Sequence, residues 1–162
     1  MTYSSHAHLS FEIARSQLAN RKEDLRGIRN QASFAAALSG LIASVFSSLV
    51  PDGQFRSDVL ALGWLGVSVE IWFVIISFSG SIAFAIRVGS GWKSCTFELN
   101  PRFVINTSNI SRDLDEVYRI LAIDADEFFD KNEKVISDAR TNLWFAIVLG
   151  WAQIPAWLLV IF

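Results

Sequence analysis

The chain has 162 residues, 52% of them hydrophobic and 19% charged, with a formal net charge of −2. That near-neutral balance argues against a nucleic-acid-binding surface, and a single cysteine, Cys95, excludes an intramolecular disulfide and any Cys/His metal cluster. Three apolar stretches, residues 31–50, 59–88 and 142–162, each reach the roughly 20 residues that a helix needs to cross a bilayer. The expectation is an all-α integral membrane protein with three transmembrane helices, the lipid bilayer being its first partner.

Residues 1–30 read as an amphipathic helix. Phe11, Ala14, Leu18, Leu25 and Ile28 recur at helical steps and gather on one face, while Glu12, Arg15, Lys22, Glu23 and Arg29 take the other. The apolar segment after it starts too late for a signal peptide, so no cleavage is expected. No Pro or Gly cluster separates this helix from Gln31, so the two are expected to run on as one rod, with Gly27 the weak point.

Residues 31–88 read as a transmembrane hairpin. The first span is rich in small residues, and Ala36, Gly40, Ala43 and Ser47 form a stripe on which another helix can pack closely. Its serines could instead line a wet path. In the second span Gly66, Glu70, Ser77 and Ser81 recur at steps of four, seven and four and form a polar stripe. Counted from Val59, Glu70 would lie about 15 Å or more along the helix. A carboxylate inside a membrane is a candidate proton or cation ligand, or one member of an acidic ring in an oligomeric pore. The other reading is a protonated Glu70 holding a serine such as Ser44 or Ser47 of a neighbouring span.

Residues 89–140 are the main water-soluble part: an irregular linker with a short strand near Arg102, then a helix from Ser111. In that helix Leu114, Leu121, Phe128 and Val135 repeat every seven residues beside Tyr118, Ala125, Asn132 and Ala139, giving the seam of a coiled coil with one polar position, Asn132. Two partners suit the seam equally: another subunit, or the amino-terminal helix of the same chain. Residues 141–162 form the third span, with Trp144, Trp151 and Trp157, and Pro155 predicts a kink near Gln153.

Thirteen of the fourteen basic residues lie before the first span or between the second and third; only Arg56 lies in the short loop between the first two. Positive charge is retained on the cytoplasmic side, so the amino terminus and the helical stalk of residues 89–140 are expected in the cytoplasm and the carboxyl terminus outside. The tandem acceptor motifs at Asn106 and Asn109 then carry no glycan.

Catalytic motifs are missing. Gly89-Ser90-Gly91-Trp92-Lys93-Ser94 lacks the spacing of a phosphate loop. His6 and His8 have no ligand partner at metal spacing, and Asp124, Asp126, Glu127 and Asp130 read as a solvated helix face. No enzyme, cofactor or metal is expected.

Leu18, Arg21, Leu25, Arg26 and Arg29 sit on a charged helix flowing into an Ala/Ser/Gly-rich span, a short loop, a second span ending on a basic residue and a further helix. That order resembles the small bacterial multi-pass effectors of the SLATT and Pycsar type. The resemblance implies a bacterial inner-membrane protein of antiphage defence that forms a homo-oligomeric pore or perturbs the membrane on a nucleotide signal or a partner's cue. The third span and the missing nucleotide-sensing domain depart from that pattern and favour control by a cytoplasmic protein partner. Two other classes fit the residues: a membrane anchor that recruits a soluble protein through the stalk, and a proton- or cation-coupled transporter built on Glu70.

Overall fold

A computed structural model describes residues 6–50, 69–90, 95, 97 and 113–162. They form three helices: α1, His6–Ser47; α2, Val69–Ser90; and α3, Leu114–Ile161. Proline is missing from α1 and α2, and Pro155 is accommodated inside α3. The amphipathic segment and the small-residue segment are thus one 42-residue helix, and the seam and the last apolar stretch are one 48-residue helix. Gly66 and the expected strand near Arg102 lie outside the described residues.

Two helices, α2 and α3, are long and apolar enough to cross a membrane. The carboxyl-terminal part of α1 is not among them: α1 ends at Ser47, so an 18-residue stretch at its end takes in the polar Asn30 and Gln31.

The chain divides into two compact units. The first comprises Met1–Gly27 and Gly91–Asp138, the second Ile28–Ser90 and Ala139–Phe162. In the first, α1 and α3 pair in parallel: His8 meets Tyr118 edge-on at 4.8 Å between ring centroids, and further along both helices Arg21 reaches Glu133. Leu18, Leu25, Val117, Leu121, Ala125, Asn132 and Ile136 are buried there. The seam thus packs against α1 of the same chain. In one row Ala125, Asn132 and Ala139 are buried and Tyr118 is half-buried; in the companion row Leu121 is buried, Phe128 and Val135 are half-buried beside the buried Ile136, and Leu114 is 65% exposed.

The second unit is a three-helix bundle. Phe46 of α1 stacks on Trp157 of α3 at 6.3 Å, and Phe84 of α2 stacks on Phe145 of α3 at 5.1 Å. Val50, Val74, Ala156 and Trp157 close one end of its core, with Ala43 packed against them. Rising numbers on α2 meet falling numbers on α3, so α2 runs antiparallel to the other two helices.

Candidate functional site

The second unit buries several polar side chains and exposes many large apolar ones. Phe34, Leu41, Ile76, Ile86, Trp151 and Leu159 are each more than 60% exposed, whereas Ser39, Ser77, Ser81 and Gln153 are buried. Large apolar side chains exposed in this number on one unit mark a surface that meets another apolar phase or partner.

At the centre of the bundle a chain of hydroxyls ties the three helices together. The Ser81 hydroxyl donates to the Ala146 carbonyl oxygen at 2.8 Å, and its oxygen lies 2.8 Å from the Ser39 hydroxyl. With the Ser81 proton engaged, Ser39 is the donor in that second bond. Gly150 makes this possible, because a β-carbon there would stand 2.9 Å from Ser39 Oγ. Ser33, Ser47 and Ser48 on the outer faces of α1 instead donate to carbonyls of their own helix, the usual way a hydroxyl is tolerated without water.

Gln153, one turn before Trp157, is fully buried, and neither its amide nitrogen nor its amide oxygen finds a partner among the described residues; the same holds for the indole N–H groups of Trp72 and Trp157. Buried amides of this kind cost about 1–3 kcal/mol each.

Of the polar stripe expected on the second span, Ser77 and Ser81 face the bundle interior, Glu70 is half-buried near the start of the described part of α2, and the stretch from Val59 to Ser68 lies outside the described residues. The described charges of the second unit are segregated. Arg29, Arg87 and Arg140 lie at one end and Glu70 at the other. Along α2, Glu70 and Arg87 are about 26 Å apart at the helical rise, close to the roughly 30 Å of a hydrocarbon core.

The small-residue stripe of α1 lies beside its buried face. Ala36, Gly40 and Ala43 are half-buried, Ser47 is exposed, and a β-carbon on Gly40 would meet nothing within 4 Å. Between α1 and α3 runs a cavity of about 490 Å³, lined by Asn30 and Gln31 at one end and by Phe34, Leu38, Ile42 and Trp151 along its length.

In the first unit the polar centre is Arg21. Its guanidinium lies 2.8 Å from Glu133 as an ion pair, 3.4 Å from Asp24, and 4.9 Å from the centre of the Phe129 ring. Burial pushes the Cys95 thiol above its ordinary range. Among the described residues no group of three or more His, Cys, Asp or Glu side chains is placed to hold a metal ion.

Sequence reasoning missed Ser39, Arg21 and Gly150 as site residues. Arg21 carried a signal, as the one cation flanked by Leu18 and Leu25 on the apolar side of its helix; Ser39 and Gly150 carried none, because their roles exist only once α1 and α3 are in register. Comparison with known proteins adds no relative: no family model, curated protein or solved structure matches the chain.

Proposed function

We propose that the chain is a three-span membrane protein whose second unit occupies the bilayer with its arginine end on the cytoplasmic side, and that it acts without covalent chemistry, as an oligomeric effector that opens or perturbs the membrane. The observation carrying this reading is the charge segregation of the second unit. Cations at one end, a carboxylate at the other and an apolar exterior between them, over about the thickness of a hydrocarbon core, are what insertion under the positive-inside rule selects. The up-down-up course of α1, α2 and α3 supports three spans, and the serine-rich part of α1, weak in hydropathy alone, crosses in company with the other two.

Oligomerisation is supported by Gly40 in the small-residue stripe, where an added β-carbon would meet nothing within 4 Å. Since Ser39, Ser77 and Ser81 are packed inside one bundle, a conducting path would run between subunits. The parallel pair of the first unit is the element a cytoplasmic partner or signal would engage, and antiphage defence is the setting that the SLATT and Pycsar resemblance implies.

The test is reconstitution into liposomes loaded with a self-quenched dye, with the mass of the detergent-solubilised protein measured in parallel. Dye release by a defined oligomer is expected. A monomer that leaves vesicles tight would replace this reading with the anchor, which one observation favours: the filled interior of the bundle. The transporter reading is weakened by the place of Glu70 about 26 Å from Arg87 along α2, close to the far edge of a hydrocarbon core.

A further inference from the structure

We propose that the cavity between α1 and α3 in the second unit holds one acyl chain of an anionic phospholipid from the leaflet at the arginine end. The inference rests on the membrane placement of that unit and is independent of pore formation.

The cavity has the polarity gradient of a lipid. Asn30 and Gln31 stand at one end, and beyond them the lining is apolar, Phe34, Leu38, Ile42, Ile147 and Trp151 among it, apart from Ser39, whose hydroxyl is bonded to that of Ser81. From Asn30 to Ile42 the groove is about 18 Å long at the helical rise. That is about half of a 30 Å hydrocarbon core, the depth of one leaflet. The length matches an acyl chain entering from one leaflet.

Charge complementarity supplies the headgroup. Arg140 precedes Ile147, a lining residue, by seven positions and stands on the same face of α3, while Arg29 adjoins Asn30 on α1. A phosphate at the mouth would meet two guanidinium groups, with the amides of Asn30 and Gln31 as further donors. The one charge described at the other end of the unit is the carboxylate of Glu70, which does not attract an anionic headgroup. The volume of about 490 Å³ falls within the range of small-molecule sites.

The experiment is native mass spectrometry of the full chain released from nanodiscs containing equal parts of phosphatidylglycerol and phosphatidylcholine. Wild-type protein is expected to retain one phosphatidylglycerol per chain in preference to phosphatidylcholine. Arg140→Gln should weaken that retention about tenfold, the loss expected of one charge-assisted contact. Ile147→Trp, which fills the groove from a position 40% exposed, should abolish it, with helicity by circular dichroism unchanged for both variants. Equal retention of the two lipids, or retention indifferent to Ile147→Trp, overturns the site. A Phe34→Cys variant on a Cys95→Ser background that crosslinks to itself between chains at any lipid content overturns it in favour of a second copy. Failure of the membrane placement would look different: the chain would stay in solution without detergent.

Discussion

Gly150 and Ser39 approach so closely that a β-carbon on the glycine would stand 2.9 Å from the serine hydroxyl oxygen and 3.5 Å from that of Ser81. The glycine therefore decides whether the hydroxyl chain from Ser39 through Ser81 to the Ala146 carbonyl can close. Gly150→Ala should lower the thermal midpoint of the solubilised protein by forcing Ser39 out of its hydrogen bond, a loss of about 0.6–1.7 kcal/mol on the scale measured for polar contacts between membrane helices. In a Ser39→Ala background the obstructing oxygen is gone, and the same glycine substitution should cost less. A double-mutant cycle measures the coupling; additive costs would mean that the two residues do not meet.

The contacts in the first unit give a separate prediction. Arg21 combines an ion pair with Glu133 and a stacking contact with Phe129, and Lys can supply charge but no planar fork. Arg21→Lys is expected to destabilise by about 0.5–1 kcal/mol and Arg21→Ala by more, since the pair is partly solvated and exposed pairs contribute little. Limited proteolysis reports the change through faster cleavage after Lys131 and Lys134. Raising salt to about 1 M, where the screening length falls to about 3 Å, should narrow the gap between wild type and Arg21→Ala only partly, because the ring contact remains.

Helix positions and types were legible in the sequence wherever apolar periodicity was strong, and the absence of breakers between Ile28 and Gln31 correctly predicted a continuous α1. The parallel pairing of α1 with α3 was not legible. Heptad spacing names the face that is buried but not what buries it, so the seam at Ala125 and Asn132 was equally consistent with a second subunit. Glu70 shows a different limit. Hydropathy averages over a window and saw an apolar run from Val59; residues 59–68 lie outside the described residues, so the depth of the carboxylate is gauged from Arg87, about 26 Å away along α2. The hydroxyl chain was out of reach because serine spacing on one helix says nothing about which carbonyl on another will face it.

Gln153 offers a test in the opposite direction. Its amide is buried with no partner among the described residues, so replacing it with a similar apolar volume should help. Gln153→Leu is expected to raise stability by about 1–3 kcal/mol, read as a higher thermal midpoint, and to leave the oligomeric mass unchanged because the side chain points into its own bundle. A lowered midpoint would reveal an internal water or another bonded partner at that position.

The Cys95 thiol is raised by burial, which leaves less thiolate at any given pH than an exposed cysteine has. Alkylation by iodoacetamide at pH 7 should therefore be slower than for glutathione, and the difference should shrink as the pH climbs through the raised value. A rate equal to that of glutathione at pH 7 would contradict the burial of this residue.

Glu70 divides the functional readings by its depth. A ring of carboxylates halfway through a pore acts on ions already stripped of bulk solvent, and its effect survives added salt. Carboxylates about 26 Å from Arg87 along α2 would instead stand at the mouth of a path between subunits, where they raise the local cation concentration through a field that salt screens over about 10 Å at 0.1 M and about 3 Å at 1 M. Glu70→Gln should accordingly lower conductance and cation preference in planar bilayers at low salt, lose that effect near 1 M, and leave the amount of protein in the membrane unaltered. Glu70→Ala should behave like Glu70→Gln, since a residue at the mouth is not needed to hold the helices together. An effect as large at 1 M as at 0.1 M would put the carboxylate inside the conducting path, and failure of Glu70→Ala alone to assemble would make it a structural contact between helices.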